Sequence, residues 1–243
     1  MMIFRSISII FKSVSKNMIN IFFHYPKMIY MSNHPEKYTR DEQYEYCVKL
    51  IRLLIDTCNI KVEIHGTENI PAEDGFYLCA NHQEKFDPLA LWYAFPRQLG
   101  VVLNDEATHR PFIREVCKLI PSVKLKNSDP HSLVKNFAEI TKELTSKHNY
   151  LIFPEGWYEA DYKHLSTFHS GCFKSPQRAK SPILPVALID SYRIFDKGYK
   201  TTKPIQIHIL KPIYPQEINH MRTNEIAALV QGRIQEAVSM YQE

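Results

Sequence analysis

The sequence predicts an α/β fold: a mainly parallel or mixed central sheet flanked by helices, with an amphipathic helical segment at the N-terminus. Three observations carry this. Short apolar runs of strand length alternate with longer stretches in which apolar residues recur at helical spacing, the pattern that lays helices on the faces of a sheet. The 243 residues suffice to bury a real core, and 44% hydrophobic against 23% charged residues is the composition of an ordinary globular protein. The residues best suited to chemistry fall just after two of the strand-like runs, where ligands gather in open α/β sheets.

Charge and cysteine content exclude several classes. The 30 Lys+Arg against 26 Asp+Glu give a formal charge of +4, too mild for a nucleic-acid binder but compatible with an anionic surface or substrate. The five cysteines (Cys47, Cys58, Cys79, Cys117 and Cys172) are odd in number and scattered, without a C-x-x-C pair. Neither a disulfide framework nor a zinc ribbon is indicated, and a reducing, cytoplasmic compartment is expected.

Residues 1–32 contain no acidic residue. At about 100° per residue, Arg5, Lys12 and Lys16 fall within about 40° of one another, opposite Ile3, Phe4, Ile7, Ile10, Phe11 and Val14. The charge-free stretch 17–26 is too short to span hydrocarbon, so this basic helix is expected to lie in a membrane interface rather than cross it. The alternatives are a helix packing its apolar arc on the domain and, less favoured because the segment is poor in Arg, a mitochondrial transit peptide. A second helix is predicted over 41–57, where Tyr44, Cys47, Leu50, Ile51 and Leu54 recur at helical spacing.

Strands follow at 61–65 and 75–80, and Asp87-Pro88 opens a helix to about 95, with Asp87 suited to cap it. Residues 101–104 read as a strand, 110–119 as a short helix and 122–125 as a brief strand. Asp129-Pro130 starts a helix to about 147. Strands at 150–153, 183–188 and 204–210 precede a closing helix over 223–241, with Ile226, Val230 and Ile234 inward. The expected organisation is a membrane-associating helical segment (1–60), a catalytic domain (61–215) and a C-terminal helix packed on it (216–243).

Within Asn81-His82-Gln83-Glu84-Lys85-Phe86-Asp87 a buried strand ends and a helix begins. A histidine here can take a proton from an attacking hydroxyl. A carboxylate five residues on can bind the far ring nitrogen, fixing the tautomer and stabilising the imidazolium. Read alone, a histidine with a capping aspartate is as ordinary as a catalytic pair. The second cluster, Phe153-Pro154-Glu155-Gly156, forces a turn and leaves one carboxylate at the sheet edge.

Together the clusters resemble the glycerolipid acyltransferases related to 1-acylglycerol-3-phosphate acyltransferase, whose first motif is N-H-x-x-x-x-D and whose third is F-P-E-G-T-R. The resemblance runs from about Val62 to Pro212, taking in residues 65–71, 168–174 and Pro182-Ile183-Leu184-Pro185-Val186. It implies that His82 is a general base oriented by Asp87, that Glu155 and Gly156 bind the acceptor, and that basic residues hold the acceptor's phosphate. Lys126, Lys124 and Arg114 are the candidates for the last role. It also implies an acyl thioester donor, acyl-CoA or acyl carrier protein, a lysophospholipid acceptor at the cytoplasmic face of a membrane, and neither cofactor nor metal.

This sequence departs from the pattern in two places. Trp157-Tyr158 stands where the family has Thr-Arg, and Lys126 where the second motif ends in Arg. Glycerol 3-phosphate or another lysophospholipid therefore stays open as acceptor, as does an inactive lipid-binding module. A hydrolase using the same histidine is disfavoured because no G-x-S-x-G elbow is present.

Overall fold

The computed structural model describes residues 18–125, 130–157, 162–195 and 203–241, with backbone alone at 18–22, 107 and 130–131. The basic arc of Arg5, Lys12 and Lys16, the phosphate candidate Lys126 and the predicted cap Asp129 lie outside the described residues. Seven strands, β1 (Val62–His65), β2 (Tyr77–Ala80), β3 (Gly100–Asn104), β4 (Ser122–Leu125), β5 (Tyr150–Ile152), β6 (Ile183–Ile189) and β7 (Ile205–Ile209), form one sheet. Its order is β1-β7-β6-β2-β5-β3-β4. The described pairings are parallel except for β6 with β7, so the sheet is mixed.

The pleat of β2 divides the core. Leu78 and Ala80 face a cluster shared with α1 (Met18–Asn33), α2 (Arg40–Thr57), α3 (Asp87–Ala94) and α4 (Ile113–Leu119). Tyr77 and Cys79 face the other, shared with α5 (Pro130–Thr145) and, beyond α6 (Lys174–Ala179) and α7 (Pro215–Ile218), with the closing helix α8 (Thr223–Tyr241). Strands buried on both faces read as continuous apolar runs, and β6 is buried at all seven positions.

Thr39 and Glu42 form a capping box at the start of α2: the Glu42 N–H donates to Thr39 Oγ1 at 3.2 Å and the Thr39 N–H to Glu42 Oε2 at 2.8 Å. The preceding α1 packs on α2 and α4 with Met28 and Met31 buried, while Phe23 stays 70% exposed. No helix among the described residues is long and apolar enough to cross a membrane.

The helix predicted over 110–119 forms as α4 from Ile113 to Leu119, and its first three residues lie instead in a turn that follows a 3-10 turn over Asp105–His109. Pro111 and the backbone of Phe112, at φ +71° and ψ −57°, break the helix between them.

Candidate active site

The chain leaves β2 toward β3 on one side, and leaves β5 toward β6 on the other. His82 follows β2 at this reversal, the place where open α/β sheets present groups to ligands. Its backbone is fixed by its neighbours. The buried Asn81 amide extends the β2–β6 ladder, donating to the Leu188 carbonyl at 2.9 Å and accepting the Leu188 N–H at 2.7 Å. Gln83 Oε1 accepts from the Ser191 N–H and hydroxyl at 3.1 and 3.0 Å.

The His82 ring meets Asp87 and Phe153. Nδ1 lies 2.7 Å from Asp87 Oδ2, which also accepts the Gln83 and Glu84 N–H groups at 2.6 and 2.9 Å. Asp87 is fully buried and is the first residue of α3, whose N-cap is Phe86. Its carboxylate therefore turns back to the loop before the helix instead of capping the helix. With the ring and two backbone N–H groups all directed at Oδ2, the tautomer that carries its proton on Nδ1 satisfies the contact. Phe153 stacks on the imidazole with ring centres 4.2 Å apart and planes 23° from parallel.

Glu155 reaches the same centre from behind. Its Oε1 accepts the His82 N–H at 2.7 Å and its Oε2 the Ser166 N–H at 2.8 Å, joining the strand end to the loop before His169. Burial pushes its carboxyl above the usual carboxylate range, against the pull of those two donors. Gly156 sits at φ +75°, and a Cβ there would come within 3.2 Å of the His169 ring, so the turn takes glycine.

A cavity of about 670 Å³ opens beside His82, within the size range of ligand pockets. β3 and β5 pair only at Gly100–Tyr150 and Val101–Leu151, and beyond that point both strands line the opening. Its wall draws on both cores, with Trp92, Val101 and Val116 from one and Val102, Ile152 and Cys172 from the other. Burial pushes the wall thiols of Cys117 and Cys172 up to about 11 and about 12, which keeps them protonated and poor as nucleophiles near neutral pH.

Of the predicted site residues, His82 and Gly156 line the cavity, and Asp87 and Glu155 stand behind His82 without entering the wall. Arg114 and Lys124 are not among the described wall residues, and Arg114 is held by Glu115 at 2.7 Å. Lys85, Glu106, Arg110, Trp157 and His169 reach the wall. Sequence reasoning passed over Lys85, Glu106 and Arg110, and over the support from Asn81 and Gln83. The two polar supports flank His82 in sequence, which was the available signal. Among the described residues no group of three or more His, Cys, Asp or Glu is placed to hold a metal.

Residues 61–189 match the model of the family described as Acyltransferase. The chain is 24% identical over 224 residues to the probable 1-acyl-sn-glycerol-3-phosphate acyltransferase of Mycoplasma pneumoniae, covering 85% of this chain and 82% of that protein. It is 22% identical over 190 residues to the 1-acyl-sn-glycerol-3-phosphate acyltransferase of Borreliella burgdorferi, covering 77% and 74%. In structure it is similar to PlsC, the 1-acyl-sn-glycerophosphate (LPA) acyltransferase from Thermotoga maritima, with a TM-score of 0.73 and 20% identity. That similarity covers 99% of this chain and 97% of the other, and it establishes the fold.

Proposed function

Because the chain belongs to the acyltransferase family and is an enzyme of that type, we propose that it acylates the free hydroxyl of 1-acylglycerol-3-phosphate to give phosphatidic acid. The names of its relatives support the acceptor. The observation that carries the chemistry is the His82–Asp87 pair, closed at 2.7 Å, beside a largely apolar cavity. With Nδ1 engaged by Asp87, Nε2 takes the proton from the acceptor hydroxyl as its oxygen attacks the thioester carbonyl. Asp87 stabilises the imidazolium, which returns the proton to the departing thiolate, so one ester forms and one thiol is released. The acyl chain lies among Val102, Cys117, Phe137 and Ile152. Acyl-CoA and acyl carrier protein both fit this scheme as donors, and the reaction takes place at a membrane's cytoplasmic face.

Asp87→Asn tests the reading. An asparagine oxygen can keep the three hydrogen bonds that Oδ2 accepts while removing the charge. Turnover should fall roughly a hundredfold to ten-thousandfold with the melting temperature nearly unchanged. Turnover close to wild type would mean that Asp87 only shapes the loop, and the catalytic pair would be withdrawn. A second acceptor is favoured by one observation, the half-exposed Trp157 at the wall where the family has Thr: a lysophospholipid with a larger head group.

A further inference from the structure

An acceptor that carries a phosphate needs a cation at the cavity, and this chain lacks the arginine that closes the family's third motif, having Tyr158 instead. Among the described residues, four side chains with a basic nitrogen form part of the wall: His82, Lys85, Arg110 and His169. We propose that Arg110 binds the phosphomonoester of the acceptor, taking the place of the missing motif arginine; this rests on the acceptor reading above.

What each neighbouring cation touches supports the choice. Arg114 places Nε and Nη2 each 2.7 Å from Glu115 Oε1, and it lies outside the described wall. Glu115 is itself buried and also accepts the Phe112 N–H at 3.0 Å, so that pair is fixed to the backbone of the turn. Lys85 keeps its nitrogen 3.9 Å from the Glu84 carboxylate. Arg110 is exposed, lines the cavity, and makes no side-chain hydrogen bond or ion pair among the described residues. Glu106 shares the wall without pairing to it. Two parallel N–H groups of a guanidinium match two phosphate oxygens, which a lysine cannot reproduce.

The turn that presents Arg110 is constrained. The Arg110 carbonyl accepts the Arg114 N–H at 2.9 Å, Pro111 follows, and Phe112 holds the strained φ of a γ-turn. Such outliers persist where surrounding contacts impose them. Here the contacts are the Glu115 carboxylate and the Tyr25 ring, centred 6.4 Å from that of Phe112. An unbroken helix over this stretch would have aimed residue 110 differently; the break faces it to the cavity.

The test uses full-length enzyme at saturating donor. Arg110→Gln should raise KM for 1-acylglycerol-3-phosphate roughly tenfold to hundredfold, the loss expected for a charge-assisted contact. The donor KM and the KM for 1-acylglycerol, which has no phosphate, should stay at wild-type values. Arg110→Lys should fall between, and glycerol 3-phosphate should inhibit wild type more strongly than Arg110→Gln. A melting curve separates misfolding from lost contact, and Arg110→Lys carries the test if Arg110→Gln unfolds. An unchanged phosphate-acceptor KM, or equal impairment with and without phosphate, overturns the assignment of Arg110 and leaves the function standing. A wild-type enzyme that acylates only phosphate-free acceptors overturns both.

Discussion

His82 is held in three ways that differ in kind: Asp87 takes a ring nitrogen, Phe153 covers a ring face, and Glu155 accepts the backbone N–H. From the third restraint we propose a positioning role for Glu155, with the acceptor contact that the family resemblance implies as the alternative. Glu155→Gln has one carbonyl oxygen for two N–H donors, so either His82 or Ser166 loses its partner. A shift of about 1 Å in a catalytic group can cost roughly a hundredfold, so kcat should drop by roughly ten- to a hundredfold with the acceptor KM little changed. A raised KM at normal kcat would return Glu155 to acceptor binding. At this scale the sequence offered His82 and Asp87 as a pair only through the resemblance that their motif and the Phe153–Gly156 motif carry together, since a histidine and a capping aspartate read alone are ordinary. It did not show which cations meet the cavity, since a sequence reveals a charge but not the carboxylate that claims it, as Glu115 claims Arg114.

Elements were legible where their signals were local. The pattern over 41–57 gave α2 and that over 223–241 gave α8, each within a residue or two. The helix predicted over 110–119 starts late, at Ile113, because its apolar spacing continues through Pro111 and Phe112, where backbone geometry wins. Residues 1–17, with Arg5, Lys12 and Lys16, should contribute salt-sensitive binding to anionic bilayers, about 1 kcal/mol per basic residue near the surface. Vesicle flotation should therefore weaken when 1–17 are deleted, and undiminished binding would place the anchor elsewhere. The end of α8 rests Tyr241 on His208 of β7, ring centres 4.0 Å apart, with His65 on the other side at 4.7 Å. Burial, with the nearby His65 adding to it, lowers the His208 pKa from 6.5 to about 4. A folded pKa below the unfolded one means the unfolded chain binds more protons in that window, so stability is full above about 6.5 and lost as pH falls toward 4. Melting temperatures across this range should decline, and His208→Gln should flatten the decline. An unaltered slope in the variant would assign the effect to other groups.

For the whole molecule, alternation of strand and helix was enough to give a mixed α/β sheet, but not its order. Strand neighbours such as β2 with β5 and β6 depend on long-range packing that no local pattern encodes. The cavity was equally hidden, because it arises where β3 and β5 cease to pair, and only the assembled sheet has such a gap. That gap places His82, backed by the buried Asp87, beside an apolar space, and the reaction proposed there is direct transfer from a thioester to a lipid hydroxyl with His82 as base. The most direct test is to follow thiol release and phosphatidic acid formation together, for wild type and His82→Ala, with 1-acylglycerol-3-phosphate as acceptor. One thiol should be released per phosphatidic acid formed in wild type, and both should be lost in a folded His82→Ala enzyme. Product formation by His82→Ala at the wild-type rate, or thiol release by wild type without an esterified product, would contradict the proposed reaction.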